Sequence, residues 1–224
     1  MGDMTQVGPG RPRLAPRRRQ GQTPRAEILD AAAELFTGQG YSSTSTRGIA
    51  DAVGIRQASL YHHFAAKDDI LAALLTETIS AAADLADRLC ERPEPASVRL
   101  WTLARFDIEQ LCAGRWNIGA LYFLPELRSE RFAAFRARRD QLRENYERLA
   151  AQVVVAAGDT GVPNACALPF RLVETVINIR SDRGMVPDDT RRTIAEAVLH
   201  VLGWRGDLVE VRAAAEVLAA DLGS

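Results

Sequence analysis

Apolar residues recur at three- and four-residue spacing along most of the chain, the signature of helices with one buried face. Ile28, Ala32, Leu35 and Phe36 form the first stripe. It starts at Thr23-Pro24, with Thr as N-cap and Pro at the first helical position, and ends at Gly38 and Gly40. Ile49, Ala50 and Val53 form a short second stripe that Thr44 opens as N-cap and Gly54 closes. Leu60 and Phe64 lie one turn apart in a third. Leu71, Leu74, Leu75, Thr78, Ala82, Leu85 and Leu89 predict a long helix from Lys67 to about Cys90, with Asp68 and Asp69 suited to the dipole of its first turn. Pro93 and Pro95 end it. Further helices are expected at 96–113, 116–124, 127–157, 166–183, 189–204 and 207–221, broken at Gly114, Pro125, Gly158-Asp159, Gly184 and Gly203. No strand-like alternation or internal repeat interrupts them. The pattern predicts an all-α protein of about nine or ten helices: an N-terminal three-helix domain, then a larger helical domain.

The second and third stripes are separated by a short turn containing Gly54, which reads as a helix-turn-helix whose second helix enters the major groove of DNA. With Leu60 and Phe64 facing inward, Gln57, Ala58, Ser59, Tyr61 and His62 face outward. None is a large aliphatic, and all but Ala58 can donate, accept or stack.

Composition adds boundaries. With 224 residues, 47% hydrophobic and 25% charged, the chain is long enough for a real core and has the make-up of an ordinary globular protein. No apolar run approaches the roughly 18 residues that span a bilayer, and no signal-peptide core is present, so no membrane partner and a cytoplasmic location are expected. Three widely spaced cysteines, Cys90, Cys112 and Cys166, fit a reducing compartment and neither a disulfide framework nor a zinc site. The net charge of −1 hides an asymmetry: residues 1–70 carry nine basic and seven acidic side chains, the remainder 19 and 22. A basic front on a mildly acidic body suits an anionic partner held at one end. Residues 1–22 are rich in Gly, Pro and Arg and read as a flexible basic arm. Arg11 and Arg13 stand in Gly10-Arg11-Pro12-Arg13, which is similar to the core of an AT-hook; Arg17, Arg18 and Arg19 follow. The arm is either a minor-groove element or a solvated tail.

Glu27 to Ile79 closely resembles the DNA-binding domain of the TetR family of bacterial transcriptional regulators. The matching pieces are Ala-Ala-Glu-Leu-Phe (32–36), Gly-Tyr (40–41), Thr44, Arg47-x-Ile-Ala (47–50), Val-Gly-Ile (53–55), Ser-Leu-Tyr-His-His-Phe (59–64) and Lys67. The resemblance implies that Arg47, Gln57 and Tyr61 touch base edges, with Ala58 packed beside them against a thymine methyl. Arg on guanine and Gln on adenine are the favoured bidentate pairs. It also implies that Ser45, Thr46, Ser59, His63 and Lys67 bind phosphates. His62 faces outward and suits either role. For Tyr61 and Lys67 the competing reading is structural, and for His63 it is partial core packing. Adjacent histidines diverge on a helix and do not form a metal site. Gly48 replaces the usual acidic residue and costs the second helix about 1 kcal/mol. Arg56 and Ala66 stand where Ser or Thr often caps, so those ends lose a cap, and Arg56 joins the reading residues. The expected boundaries are 1–22 for the arm, 23–70 for the helix-turn-helix domain and 71–224 for an effector-binding and dimerisation domain, linked by helix 67–90.

In that last part Arg139 falls in the stripe of Phe132, Phe135, Leu142, Tyr146, Leu149 and Val153, where an aliphatic is expected. It binds an acidic group on a ligand, pairs with an internal acid such as Glu174, or lays its stem on apolar surface with its head in water. Trp101, Phe106, Trp116, Tyr122, Phe123, Phe135 and Tyr146 suit either a largely hydrophobic small-molecule effector or plain core. Glu174 and Asn178 are the expected polar groups in a buried setting. The family resemblance implies a homodimer through two late helices, here 166–183 and 189–204, and Leu172, Val176, Ile179, Ile194, Val198, Leu199 and Leu202 give them more apolar surface than one face needs. The function expected is a repressor released from a palindromic operator on double-stranded DNA by that effector. The alternatives are a TetR-like activator or constitutive regulator and, remotely, an all-helical enzyme. The sequence has no Ser-His-Asp, paired-carboxylate, P-loop or metal-spaced set, so neither catalytic residue, metal nor cofactor is expected.

Overall fold

Thr23 and Pro24 open the first helix as their chemistry dictates. The computed structural model describes residues 23–158 and 163–223, and the arm arginines Arg11, Arg13, Arg17, Arg18 and Arg19 lie outside them. Helix α1 is Pro24–Gly38, with Thr23 Oγ1 accepting the Ala26 N–H at 3.2 Å. Helix α2 is Thr46–Val53, and its cap differs from the expectation. Ser45 Oγ accepts the Gly48 N–H at 3.0 Å, whereas Thr44 is buried and donates its hydroxyl to the Gly40 carbonyl at 2.9 Å. Gly54 ends α2 at φ +79°, a left-handed conformation that glycine adopts without strain. Helix α3 is Gln57–Tyr61, and no side chain caps it at Arg56. Ile28, Phe36, Ile49, Leu60 and Phe64 are buried together as the centre of this three-helix unit.

Helix α4 is Lys67–Cys90. Ala66 offers no hydroxyl, but Asp69 Oδ2 accepts the Ala66 N–H at 2.9 Å, so half of a capping box survives where the sequence suggested a lost cap. Contacts between residues group the described chain up to Ile70 into one compact unit and from Leu71 onward into another.

In the second unit, helices α5 (Ala96–Cys112), α6 (Ala133–Ala157), α7 (Leu168–Arg183), α8 (Asp188–His200) and α9 (Leu208–Gly223) complete the set. Helix α5 packs against each of the other four. Its face of Leu100, Leu103, Ala104 and Ile108 is wholly buried. The main departure from the sequence reading lies between α5 and α6. The helix expected at 116–124 and the first turn of the one expected at 127–157 are instead three 3-10 turns, Ile118–Phe123, Pro125–Arg128 and Glu130–Phe132. Pro125 forces Leu124 into extended backbone (ψ 132°), and Ser129 is extended again (ψ 156°), so no single helix can run through. Arg136 fixes the bend by donating to the Leu127 and Ser129 carbonyls at 2.6 and 2.5 Å. Gly119 makes the close approach possible, because a Cβ there would stand 2.8 Å from the Ile177 side chain. Among the described residues there is no strand, and no helix is long and apolar enough to cross a membrane.

Candidate functional site

Helix α3 buries Leu60 and leaves Gln57, Ala58, Ser59 and Tyr61 exposed, with His62 and His63 exposed just beyond it. Tyr61 keeps 48% of its surface open, a large aromatic left in water. Its hydroxyl lies 3.2 Å from Thr46 Oγ1 and 3.4 Å from Gln57 Nε2, and Gln57 donates to Thr46 Oγ1 at 3.1 Å. Three neutral polar groups from α2 and α3 thus converge on one open face. Arg47, on the exposed side of α2, makes only a long ion pair with Asp51 at 4.0 Å, with both side chains largely in solvent. Exposed pairs of this kind contribute little, so the guanidinium is available. Arg56 is exposed as well.

The structure separates the remaining expected phosphate contacts. His63 does not pack into the core; the ring that does is its neighbour Phe64. Ser45 accepts its capping bond and still has its hydroxyl proton to give. Lys67 is a clamp. Its ammonium donates to the Tyr41 and Thr44 carbonyls at 2.8 and 2.9 Å and sits 4.1 Å from the centre of the Tyr41 ring. Tyr41 in turn packs edge-on to Phe36 at 5.0 Å and donates its hydroxyl to Asp68. Lys67 therefore ties the loop before α2 to the start of α4, the structural role that competes with phosphate binding, and keeps at most one proton for a phosphate.

The ten residues proposed for an effector do not form one chamber. Tyr122, Phe135, Arg139, Tyr146 and Glu174 come together. The Tyr122 and Phe135 rings lie 5.4 Å apart, the Tyr146 and Phe170 rings 5.6 Å apart, and the Arg139 guanidinium lies 5.7 Å from Tyr122 and 5.2 Å from Phe170. Arg139 pairs with Glu174, the second of its three expected roles, and Arg171 holds the other Glu174 oxygen at 3.0 Å. Asp107, which the sequence reading missed, is buried at the centre and accepts the Tyr146 hydroxyl at 3.0 Å. Burial pushes its carboxyl up to about 7, against the lowering effect of the Tyr146 bond. Burial likewise raises the Tyr122 and Tyr146 phenols, so both stay protonated donors. The space left beside Asp107, Tyr122 and Glu174 is about 10 Å³, room for about one water. A signal for Asp107 existed, since it falls in the α5 stripe of Leu100, Leu103, Ala104, Ile108 and Leu111.

The others lie apart. Trp101 and Phe106 line a cavity of about 440 Å³ between α4, α5 and α9, and Trp116 lines another of about 200 Å³. Asn178 is exposed, contrary to the expectation: α7 turns Val173, Glu174, Val176, Ile177 and Arg180 inward and carries position 178 out of that face. Arg180, a second missed residue, donates to the Leu111, Ala113 and Gly114 carbonyls and ties off the end of α5. Phe123 is 58% exposed. Of the expected dimer residues, Val176, Val198, Leu199 and Leu202 are fully buried within the chain itself, which corrects their assignment to an interface. Leu172, Ile179 and Ile194 retain open surface.

Among the described residues no group of three or more His, Cys, Asp or Glu side chains could hold a metal. The sequence model for bacterial regulatory proteins of the tetR family matches residues 28–74, which contain α2, α3 and most of α1. The transcriptional repressor KstR2 of Mycobacterium tuberculosis is 47% identical over 51 residues, 23% of this chain and 26% of that protein, so the match spans about a quarter of this curated relative's length. The solved structure of M. tuberculosis KstR2, described as a ketosteroid transcriptional regulator, shares the fold at 24% identity and a TM-score of 0.66 over 82% of this chain and 95% of that one. The crystal structure of Mycobacterium smegmatis AmtR superposes with a TM-score of 0.86 at 58% identity, covering 93% of this chain and 98% of that one. With the helix-turn-helix geometry and a likeness that runs through both units, the chain belongs to the TetR family of bacterial regulatory proteins.

Proposed function

We propose that the protein represses transcription by holding a palindromic operator as a homodimer, and that a small molecule bound in the unit from Leu71 onward releases it. The exposed set of Thr46, Gln57 and Tyr61 carries this reading. Its members bond to one another through neutral contacts that a base edge can replace at little cost. Gln57 then reads adenine and Arg47 reads guanine, while Ser45, Ser59, His62 and His63 fix register on phosphates. The likeness of this segment to a repressor supports repression. The open surface of Leu172, Ile179 and Ile194 supports pairing through α7 and α8, and a twofold pair requires a palindrome. Helix α4 begins at Lys67 beside the Tyr41 clamp and ends at Cys90, so a shift of its later turns would alter the spacing of the two recognition helices. A ligand achieves this only by its difference in affinity for the two forms, typically about 1–3 kcal/mol.

The second reading, an activator or constitutive regulator without an effector, is favoured by one observation: the space beside Asp107, Tyr122 and Glu174 is only about 10 Å³. Selection of genomic fragments by the full chain, followed by a metabolite screen on the selected complexes, tests both. A palindromic motif and at least one metabolite that raises the melting temperature and frees the fragment support the first reading. A palindrome that no metabolite frees supports the second. Fragments without dyad symmetry contradict the dimeric operator.

A further inference from the structure

We infer that the cavity of about 300 Å³ between the 3-10 segment and α6 binds a small anion with an apolar body, whose acid group competes with Glu174 for Arg139; resting on the effector reading, this gives the effector its chemical class. The walls carry Arg128, Arg136 and Arg139 against the single acid Asp140, beside the rings of Tyr122 and Phe123. Arg136 is committed to the Leu127 and Ser129 carbonyls and holds the wall in shape. Phe123, more than half exposed, offers a face to an apolar body. The volume lies at the small end of the range for small-molecule sites.

Arg139 supplies the specificity. A guanidinium grips a carboxylate or phosphate best through two parallel N–H bonds from one edge. Nη2 of Arg139 donates to Glu174 Oε1, while Nε, on the same edge, is buried without a hydrogen-bond partner. Glu174 cannot fill both places because its other oxygen is held by Arg171 at 3.0 Å. An incoming acid group that draws the guanidinium from Glu174 toward the cavity can span Nε and Nη2 and make the full fork. Glu174, once displaced, keeps Arg171, so its charge is not stranded. The next residue on α6, Arg138, binds Asp84 and Asp87 of α4, the latter at 2.9 Å, and Asn145 also donates to Asp87 at 2.7 Å. Arg139 therefore shares α6 with the residues that hold α4.

The test is calorimetric titration of the full chain with phenylacetate, 3-phenylpropionate and 4-phenylbutyrate, the primary amide of each, and inorganic phosphate. At least one acid should bind saturably, its amide about tenfold more weakly or worse, and Arg139→Gln should abolish the binding. Glu174→Gln removes the internal competitor and should bind the same acid about tenfold more tightly, a gain that a merely damaged fold does not produce. The same two responses with inorganic phosphate in place of the acids would support the site and assign the anion to a phosphate ester. Acids and amides that bind alike, an unchanged Arg139→Gln, or no anion bound by either wild type or Glu174→Gln would overturn it. Binding of the selected duplex, measured in parallel, separates the two readings: duplex binding without anion binding sinks only this site, whereas loss of duplex binding by the wild type sinks the regulator.

Discussion

Thr46, Gln57 and Tyr61 in the first unit and Asp107, Tyr146, Arg139 and Glu174 in the second are both small hydrogen-bonded sets carried on helices, yet one faces solvent and the other lies largely buried among aromatic rings. In the first set every group is neutral and already has access to water, so exchanging one partner for another changes little energy. In the second, the buried Asp107 carboxyl depends on Tyr146, whereas Glu174 is shared between Arg139 and Arg171, so exchanging a partner there changes more energy than at the open face. An exposed neutral set can exchange its partners freely, whereas a largely buried charged one answers only to a partner that matches its charge.

The largest effect that would sharpen this contrast is expected at Asp107. Its carboxyl titrates near 7 in the folded chain against an ordinary 3.8, so between those values the folded chain keeps a proton that the unfolded chain loses. Its contribution to stability is thus full below about pH 4 and is lost as the pH rises to about 7. Over that range wild type should lose up to about 4 kcal/mol from this group, and Asp107→Asn should flatten the decline. Thermal unfolding at pH 5 and pH 8 reads the difference, and parallel slopes for the two proteins would remove the buried acid from the comparison.

Tyr61→Ala should come next, with an unchanged melting temperature and operator binding weakened by about 1–3 kcal/mol, while Gln57→Ala relaxes preference at one base pair per half-site by a similar amount. Gel-shift titrations on single-base operator variants measure both. A drop in melting temperature for either would mean that the open face is part of the fold after all. Lys67→Ala should cost the first unit about 1–3 kcal/mol through its two lost carbonyl bonds. If Lys67 is a clamp, the slope of log affinity against log salt stays nearly constant; a fall of about 1 would return it to the phosphate contacts. Gly48→Ala is the smallest change. An added Cβ would meet only Ser45 Oγ, at 3.4 Å, and should stabilise α2 by about 1 kcal/mol, visible as a higher denaturant midpoint. No gain would mean that the backbone at Gly48 needs glycine.

The same contrast explains what could be read from the residues alone. The helix-turn-helix is local: Thr23 and Gly54 mark ends, Leu60 and Phe64 mark the inward face, and the open face follows by elimination. Cap choice between Thr44 and Ser45 was not legible, because both residues accept and donate alike and only the burial of Thr44 decides. The second set joins α5 to α6 and α6 to α7, and periodicity says that Asp107 and Tyr146 face inward without saying that they meet. Pro125 was readable as a break, but the extended backbone at Ser129 and the Arg136 strap across it depend on tertiary contacts. The apolar excess on α7 and α8 misled for a related reason: α5 packs on both helices, and the core absorbs Val176, Val198, Leu199 and Leu202 before any partner can.

Whether the open face of Gln57 and Tyr61 reads duplex DNA is tested most directly by fluorescence anisotropy of a labelled selected operator, titrated with wild type and with the Gln57→Ala/Tyr61→Ala double variant. Wild type should bind tightly and in a salt-dependent way, and the folded double variant should be reduced to weak binding that no longer distinguishes the operator from a scrambled duplex. Indistinguishable curves for the two proteins would contradict it.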